Sequence, residues 1–538
     1  MKYLSTIIPE AIPGWEVEDE AVQPWKPEAR IVRKLGCVES YQIALQRLDY
    51  MRGNIIGFQY KIPSRISTRD SEQALIDTFE RAVACAVLKH PHMQVGIVGE
   101  DTDQPCFVRL DSIDLSNHVE WYVVRGDTED ISKVFRARTN QHLDEKFINF
   151  QAVPGWKIKV LRQEGAECME VSLVFNHTTM DGGGAKAFHS DLLESLRQHS
   201  QPIKNNLQLH GHILTIPFNS VAKLTPPAER LVDFPVDSAA LEWYLANEVN
   251  ISSSQYPRAL PTQAHWAPIA PSPAPFKTQF RTITVSPDVL SELLAACRQQ
   301  KTTLTGLLHS LIFVSLSPLL DSTIAPAFEF MTAMDLRRFL PSTPKEYPWF
   351  VPSKAMNNYV TIQNHVFDQE LTSEMRDKAA ACAAPPECLE TGELMQLIWT
   401  CARRVKDELD AKIERGVYND MNGFAQAVTD WRAQLQEEAK RPRKTGWVIT
   451  NIGAFDGRSV TEDDWEITQA HFIMCANVVA SAFQISIAAA KGGNLMVSCS
   501  WQDCVVEEKL GEGLVGNLER WLGFTARHRD GCPVPDKE

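Results

Sequence analysis

Between residues 168 and 176, apolar Met169, Val171, Leu173 and Phe175 alternate with Glu170, Ser172 and Asn176, the period of a half-buried strand. His177 continues the apolar phase, so its ring should emerge at the strand's end on the inward face. Thr178 to Met180 read as a short turn. Asp181 then stands where a helix N-cap belongs, ahead of an apolar stripe of Ala185, Phe188, Leu192 and Leu196. Elsewhere, residues 54–62 are rich in strand formers. Leu75, Phe79, Val83 and Val87 predict a helix over 71–90, capped by Asp70 and closed by Pro91. A strand at 280–285 precedes helices at 287–298 and 302–316, the second opening on capping threonines. Residues 372–440 read as mostly helical, and strands are expected at 446–452, 471–479, 483–489 and 494–501. Leu510, Leu514, Leu518 and Leu522 mark a last amphipathic helix, expected to pack on the core and not on lipid. The pattern is mixed α/β, with strands in both halves.

A chain of 538 residues exceeds one compact core, which predicts two domains or lobes. Prolines and a polar cluster concentrate between about 203 and 278 and suit an extended connection. The expected division is therefore 1–205, a crossover at 206–278, and 279–538. A formal charge of −14 argues against nucleic acid and against electrostatic docking on anionic membranes. Twelve scattered cysteines without a CxxC pair point to a reducing compartment. The first twenty residues lack the pattern of a secretory signal, and no apolar run approaches the roughly 18 residues of a membrane span. These readings place the protein in the cytoplasm, as a monomer by default.

An imidazole fixed by a rigid strand at a cavity rim suits proton abstraction from a hydroxyl attacking a carbonyl. Most histidines near strand ends are structural, and an N-cap aspartate needs no catalytic role, so spacing alone leaves both readings open. The HxH pairs His90/His92 and His210/His212 lack a third ligand at a familiar spacing, so no metal is expected. The absence of a G-x-S-x-G elbow gives no indication of a serine acyl-enzyme.

The string from His177 to Asp181, Gly182 and Gly183 resembles the HxxxDG signature of the coenzyme A-dependent acyltransferase superfamily, which includes chloramphenicol acetyltransferase and peptide-synthetase condensation domains. RKLGCVESYQIALQRLDYMRGNIIGFQY (33–60), MDLRRFLP (334–341) and VITNIGAFD (448–456) are similar, in order, to segments of the fungal alcohol O-acetyltransferases, with Ile452 replacing the leucine of that family's NLG turn. The resemblance implies two chloramphenicol acetyltransferase-like lobes, each a mixed sheet flanked by helices, with the active site in a tunnel between them. It implies transfer of an acetyl group from acetyl-CoA to a small-molecule alcohol, with His177 as general base. Asp181 would be structural and paired with Arg337, Arg338 being the lesser candidate and solvation of both the bland alternative. Thr450 or Asn451 would donate to the oxyanion, although a turn asparagine is often conformational. Lys440, Arg441, Arg443 and Lys444 would hold the donor's phosphates, or else merely oppose a helix dipole. A thioester hydrolase or amide-forming transferase of the same fold, and a non-catalytic binding protein, are the competing readings. The acceptor itself, whether a volatile alcohol, a sterol or a secondary-metabolite hydroxyl, is not legible.

Overall fold

Two mixed sheets organise the computed structural model, which describes residues 30–64, 66, 72–126, 130–198, 207–247, 266, 275–381, 392–443, 445–459, 461 and 463–528. The first sheet has five strands in the order Glu466–Ile473, Asn54–Lys61, Cys168–Phe175, Trp156–Gln163 and Val119–Val124. On one face, Ile56, Phe58, Val171, Leu173 and Phe175 pack against two helices. Glu72–Lys89 supplies Leu75, Phe79, Val83 and Val87, and Gly182–Gln198 supplies Ala185, Phe188, Leu192 and Leu196. Both stripes follow the predicted helical spacing.

The opposite face is covered as well: Ile55, Val174 and Ile473 pack with Phe280 and Leu435 from the C-terminal half. The strand Cys168–Phe175 is therefore buried on both sides over most of its length and not half-buried as its alternation predicts. Alternation records polarity, and here Ser172 is polar yet enclosed, its hydroxyl 2.9 Å from His471 Nε2.

The second sheet has six strands in the order Thr278–Val285, Leu495–Gln502, Phe483–Ala490, Trp447–Phe455, Phe328–Asp335 and Val360–Phe367. Trp447–Phe455 runs parallel to both neighbours, and the remaining pairs are antiparallel. Helix Leu304–Leu316 is buried on every side. Thr303 caps it by accepting from Gly306 N at 3.1 Å. Leu514, Leu518 and Leu522 of helix Glu508–Arg527 join the same core. Among the described residues no single helix is long and apolar enough to cross a membrane.

Several expectations need correction. The strand expected at 471–479 is Glu466–Ile473, and it leaves the C-terminal half to pair with Asn54–Lys61 in the other sheet. The apolar run continues past Ile473 because residues 474–482 form a largely buried loop, whose burial mimics a strand in sequence. The helical stretch 372–440 breaks into Gln369–Ala381, Gly392–Arg415, Met421–Ala425 and Trp431–Glu438, with Asp420 and Asp430 capping the last two. The connection at 203–278 is not uniformly extended. It holds strands Leu209–His210 and Ile213–Thr215 and helix Ser238–Asn247, while 203–206, 248–265 and 267–274 lie outside the described residues, as does the expected cap Asp70.

Candidate active site

The strand Cys168–Phe175 ends two residues before His177, and the helix Gly182–Gln198 begins five after it. His177 Nδ1 lies 2.8 Å from the Met180 carbonyl. A carbonyl only accepts, so Nδ1 carries the proton and Nε2 presents its lone pair. His177 is half-buried. Burial holds its pKa below the ordinary imidazole value, while the Asp181 charge and the Met180 carbonyl pull the other way. A neutral imidazole with one nitrogen anchored and the other available is the form a general base requires.

Asp181 turns away from that ring. Its carboxylate accepts from Arg337 Nη1 at 2.7 Å and Nη2 at 2.8 Å, from Gly184 N at 2.8 Å and from Tyr359 N at 2.9 Å. The Gly184 bond is the helix N-cap that the sequence predicts. Burial pushes this carboxyl up, but the charge and hydrogen bonds of Arg337 outweigh it, and the net pKa lies below the usual range. Arg337 comes from the 3-10 turn that follows strand Phe328–Asp335. It also donates to Asp335 Oδ1 at 3.1 Å and to the carbonyls of Ala355 and Asn357 at 3.0 and 3.2 Å. Arg338 is exposed. A buried guanidinium and carboxylate that satisfy each other this fully form a cross-lobe rivet.

The glycines of the motif are set by close approach. A Cβ on Gly183 would stand 2.6 Å from Arg337 Nη1, and one on Gly182 would stand 2.5 Å from Ile452 Cγ2. Lys186, one turn on, donates to the Ile452 carbonyl at 2.8 Å. The end of strand Trp447–Phe455 is thereby pressed onto the start of the motif helix. The strand expected at 446–452 is there, and the turn expected within TNIG (450–453) is carried inside it as a register shift between Asn451 and Ala454. The two oxyanion candidates fare differently there. Asn451 Nδ2 reaches Thr305 Oγ1 at 3.3 Å and its Oδ1 accepts from Gly453 N at 2.9 Å, a conformational role. Thr450 Oγ1 meets only the Met474 sulfur, at 3.7 Å.

The described members of the basic run do not share one environment. Arg443 is buried and donates to the carbonyls of Asn477 and Ala480 and, at 2.6 Å, to Gln502 Oε1, so the phosphate role expected of it is corrected. Among the described residues no carboxylate offsets its burial, which pulls its pKa down to about 10. Lys440 is exposed and pairs with Glu437, Arg441 N closes the turn onto the Glu438 carbonyl at 3.0 Å, and Lys444 lies outside the described residues. Arg443→Met should therefore lower stability by about 2 kcal/mol or more, since it orphans buried carbonyls, and leave the donor KM unchanged. Thermal melts and donor titrations check both halves.

Two cavities stand apart from this chemistry. A groove of about 620 Å³ runs along the outer face of the motif helix, lined by Leu193, Arg197, Phe455 and Asp456. A void of about 20 Å³ lies beneath helix Ile131–Leu143, beside Ser172. His177 lines neither, so the site is defined by its hydrogen bonds and not by cavity size.

Sequence reasoning missed the segment 355–359, which accepts from Arg337 through two carbonyls and touches His177 through Asn358. Nothing in the spacing ties residue 358 to residue 177. The segment is held from behind by Pro226, whose carbonyl accepts from Asn357 Nδ2 at 3.2 Å and from the Tyr359 hydroxyl. Thr225 Oγ1 also donates to the Met356 carbonyl at 2.6 Å, and Arg33, paired with buried Glu39, donates to the Thr225 carbonyl at 2.8 Å.

Comparison with known proteins gives a consistent picture. The sequence model of the family described as alcohol acetyltransferase matches residues 34–383. A probable alcohol acetyltransferase of Fusarium pseudograminearum is 26% identical over 507 residues, covering 91% of this chain and 95% of that relative. One from Aspergillus fumigatus is 22% identical over 489 residues, covering 88% and 95%. Among solved structures, the trichothecene 15-O-acetyltransferase of Fusarium sporotrichioides superposes with a TM-score of 0.64 at 12% identity, covering 94% of this chain and 99% of that one. The first condensation domain of the calcium-dependent antibiotic synthetase superposes with a TM-score of 0.54 at 12% identity, covering 93% and 96%. These superpositions show the two-lobed acyltransferase fold.

Proposed function

Since the chain belongs to the alcohol acetyltransferase family and is an acyltransferase acting on an alcohol, we propose that it moves an acetyl group from coenzyme A to a small-molecule hydroxyl, with His177 as general base. The observation that carries this reading is the tautomer of His177: Nδ1–H is engaged by the Met180 carbonyl, which leaves Nε2 as the only ring atom able to take a proton. Nε2 accepts the alcohol proton as that oxygen attacks the thioester carbonyl. The tetrahedral oxyanion collapses, the C–S bond breaks, and the imidazolium returns its proton to the departing thiolate. Alcohol and thioester react directly, at Nε2 of His177.

Thr450 is the oxyanion donor of choice. It stands one residue before the register shift that brings Ile452 onto the motif helix, and its hydroxyl has no stronger partner than a methionine sulfur. Lys440 and Arg441 are kept for the donor's phosphates, being the described cations of the run that are not buried. Asp181, Gly182, Gly183 and Arg337 hold the shape of the turn and take no part in proton transfer.

The test is to follow thiol release from acetyl-CoA together with ester formation over a panel of alcohols, from short aliphatic ones to hydroxylated polycycles. Ester and thiol should appear in equal amounts and only when an accepted alcohol is present. Thiol release without alcohol, at the same rate, would convert the reading into a thioester hydrolase.

A further inference from the structure

Asn358 reaches His177 from the opposite half of the chain. Its Nδ2 donates to the His177 backbone carbonyl at 2.9 Å, and since a carbonyl accepts only, this bond fixes which end of the carboxamide faces the motif. The other end, Oδ1, is buried without a partner, in a residue only 5% exposed. Packing alone does not explain a carboxamide whose bonding is half unmet, because an apolar side chain of the same branching would bury no orphan Oδ1; what asparagine adds is its Nδ2 bond to the His177 carbonyl.

The residues on either side of Asn358 are tied down in their turn. Asn357 Oδ1 accepts from Asn358 N at 2.7 Å, and the Asn357 carbonyl accepts from Arg337 Nη2 at 3.2 Å. Tyr359 N donates to Asp181 Oδ2 at 2.9 Å. Three consecutive residues thus reach three different positions of the site, and the Pro226 carbonyl holds the triplet in place. Within it, Asn358 alone makes a side-chain hydrogen bond to His177. The ring is anchored through Nδ1 to Met180, and the backbone that carries the ring is anchored through its carbonyl to Asn358.

We propose that Asn358 is a positioning residue for acyl transfer: its amide sets the height and direction of His177 from the C-terminal half of the chain, without touching substrate. The proposal rests on the general-base reading of His177. Displacing a catalytic group by about an ångström costs up to about a hundredfold in rate.

The test compares four proteins: wild type, Asn358→Leu, His177→Ala and the double variant, with Asn358→Ala in reserve should the leucine variant not fold. Asn358→Leu is expected to lower kcat by about tenfold to a hundredfold with both KM values unchanged in a protein that still unfolds in one cooperative transition above the assay temperature. In the double variant the two losses should not multiply, and its rate should equal that of His177→Ala alone. An unchanged kcat in Asn358→Leu, a KM effect in its place, or losses that multiply would overturn the proposal. The single His177 variant reports on the base reading by itself, so a failure of that reading is distinguishable from a failure of this one.

Discussion

Replacing His177 by alanine should lower kcat by at least about a hundredfold, the usual scale for one acid–base group, while the KM for acetyl-CoA changes little. The ring's contacts are the Nδ1 bond to the Met180 carbonyl and an edge contact with Phe175 at 6.0 Å between centroids, few enough that the fold should survive its loss. The same group predicts the pH dependence. Its active form is neutral, and burial lowers its pKa, so the neutral form persists to more acidic pH than in an ordinary histidine. The acid limb of kcat/KM should accordingly fall below about 6.5, with activity lost as pH drops through it. A folded alanine variant with wild-type turnover would end the general-base assignment. An acid limb well above 6.5 would mean that the titrating base is another group, or that the ring is not shielded as it is here.

What could be read from the sequence and what could not follow from the range of the interactions. The alternation of residues 169–175, the stripe 185–196 and the glycines after Asp181 are local patterns, and strand, turn and helix form there as the spacing dictates. The Asp181–Arg337 pair spans 156 residues and was reachable only through the resemblance, since composition and periodicity carry no information about which arginine a buried aspartate meets. Asn358, 181 residues from His177, had no such cue. Nor did the departure of Glu466–Ile473 into the other sheet, because an apolar strand reads the same whichever neighbour it pairs with. Within the basic run, Arg443 departs from the expectation for a physical reason. Charge in sequence does not say whether a guanidinium faces solvent or, as Arg443 does, folds inward to gather carbonyls.

Arg337→Met should cost about 3–5 kcal/mol of stability at neutral pH, because it leaves the Asp181 carboxylate buried without its counter-charge. Both side chains are nearly inaccessible, at 8% and 3%, so solvent does little to screen the loss. The sign with pH can be worked out. In wild type the Asp181 pKa is lowered, so its stabilisation is present above the ordinary carboxyl value and is lost as pH falls through the folded one. In the variant, burial is opposed only by the Gly184 and Tyr359 N–H groups and should raise that pKa, so the variant loses stability as pH rises above about 4. The gap between the two melting curves should therefore widen from mildly acidic to neutral pH. A companion variant, Asp181→Leu with Arg337→Met, removes both charges and should recover part of the stability, because apolar replacement of a buried pair is often neutral. It should not recover activity. Gly184 N and Tyr359 N would lose their shared acceptor, and with it the anchor that holds the His177 turn against segment 355–359. Should Arg337→Met melt like wild type at every pH, the rivet is not what joins the two halves of the chain at this site. Should the double variant regain both stability and turnover, Asp181 and Arg337 serve only to fill space.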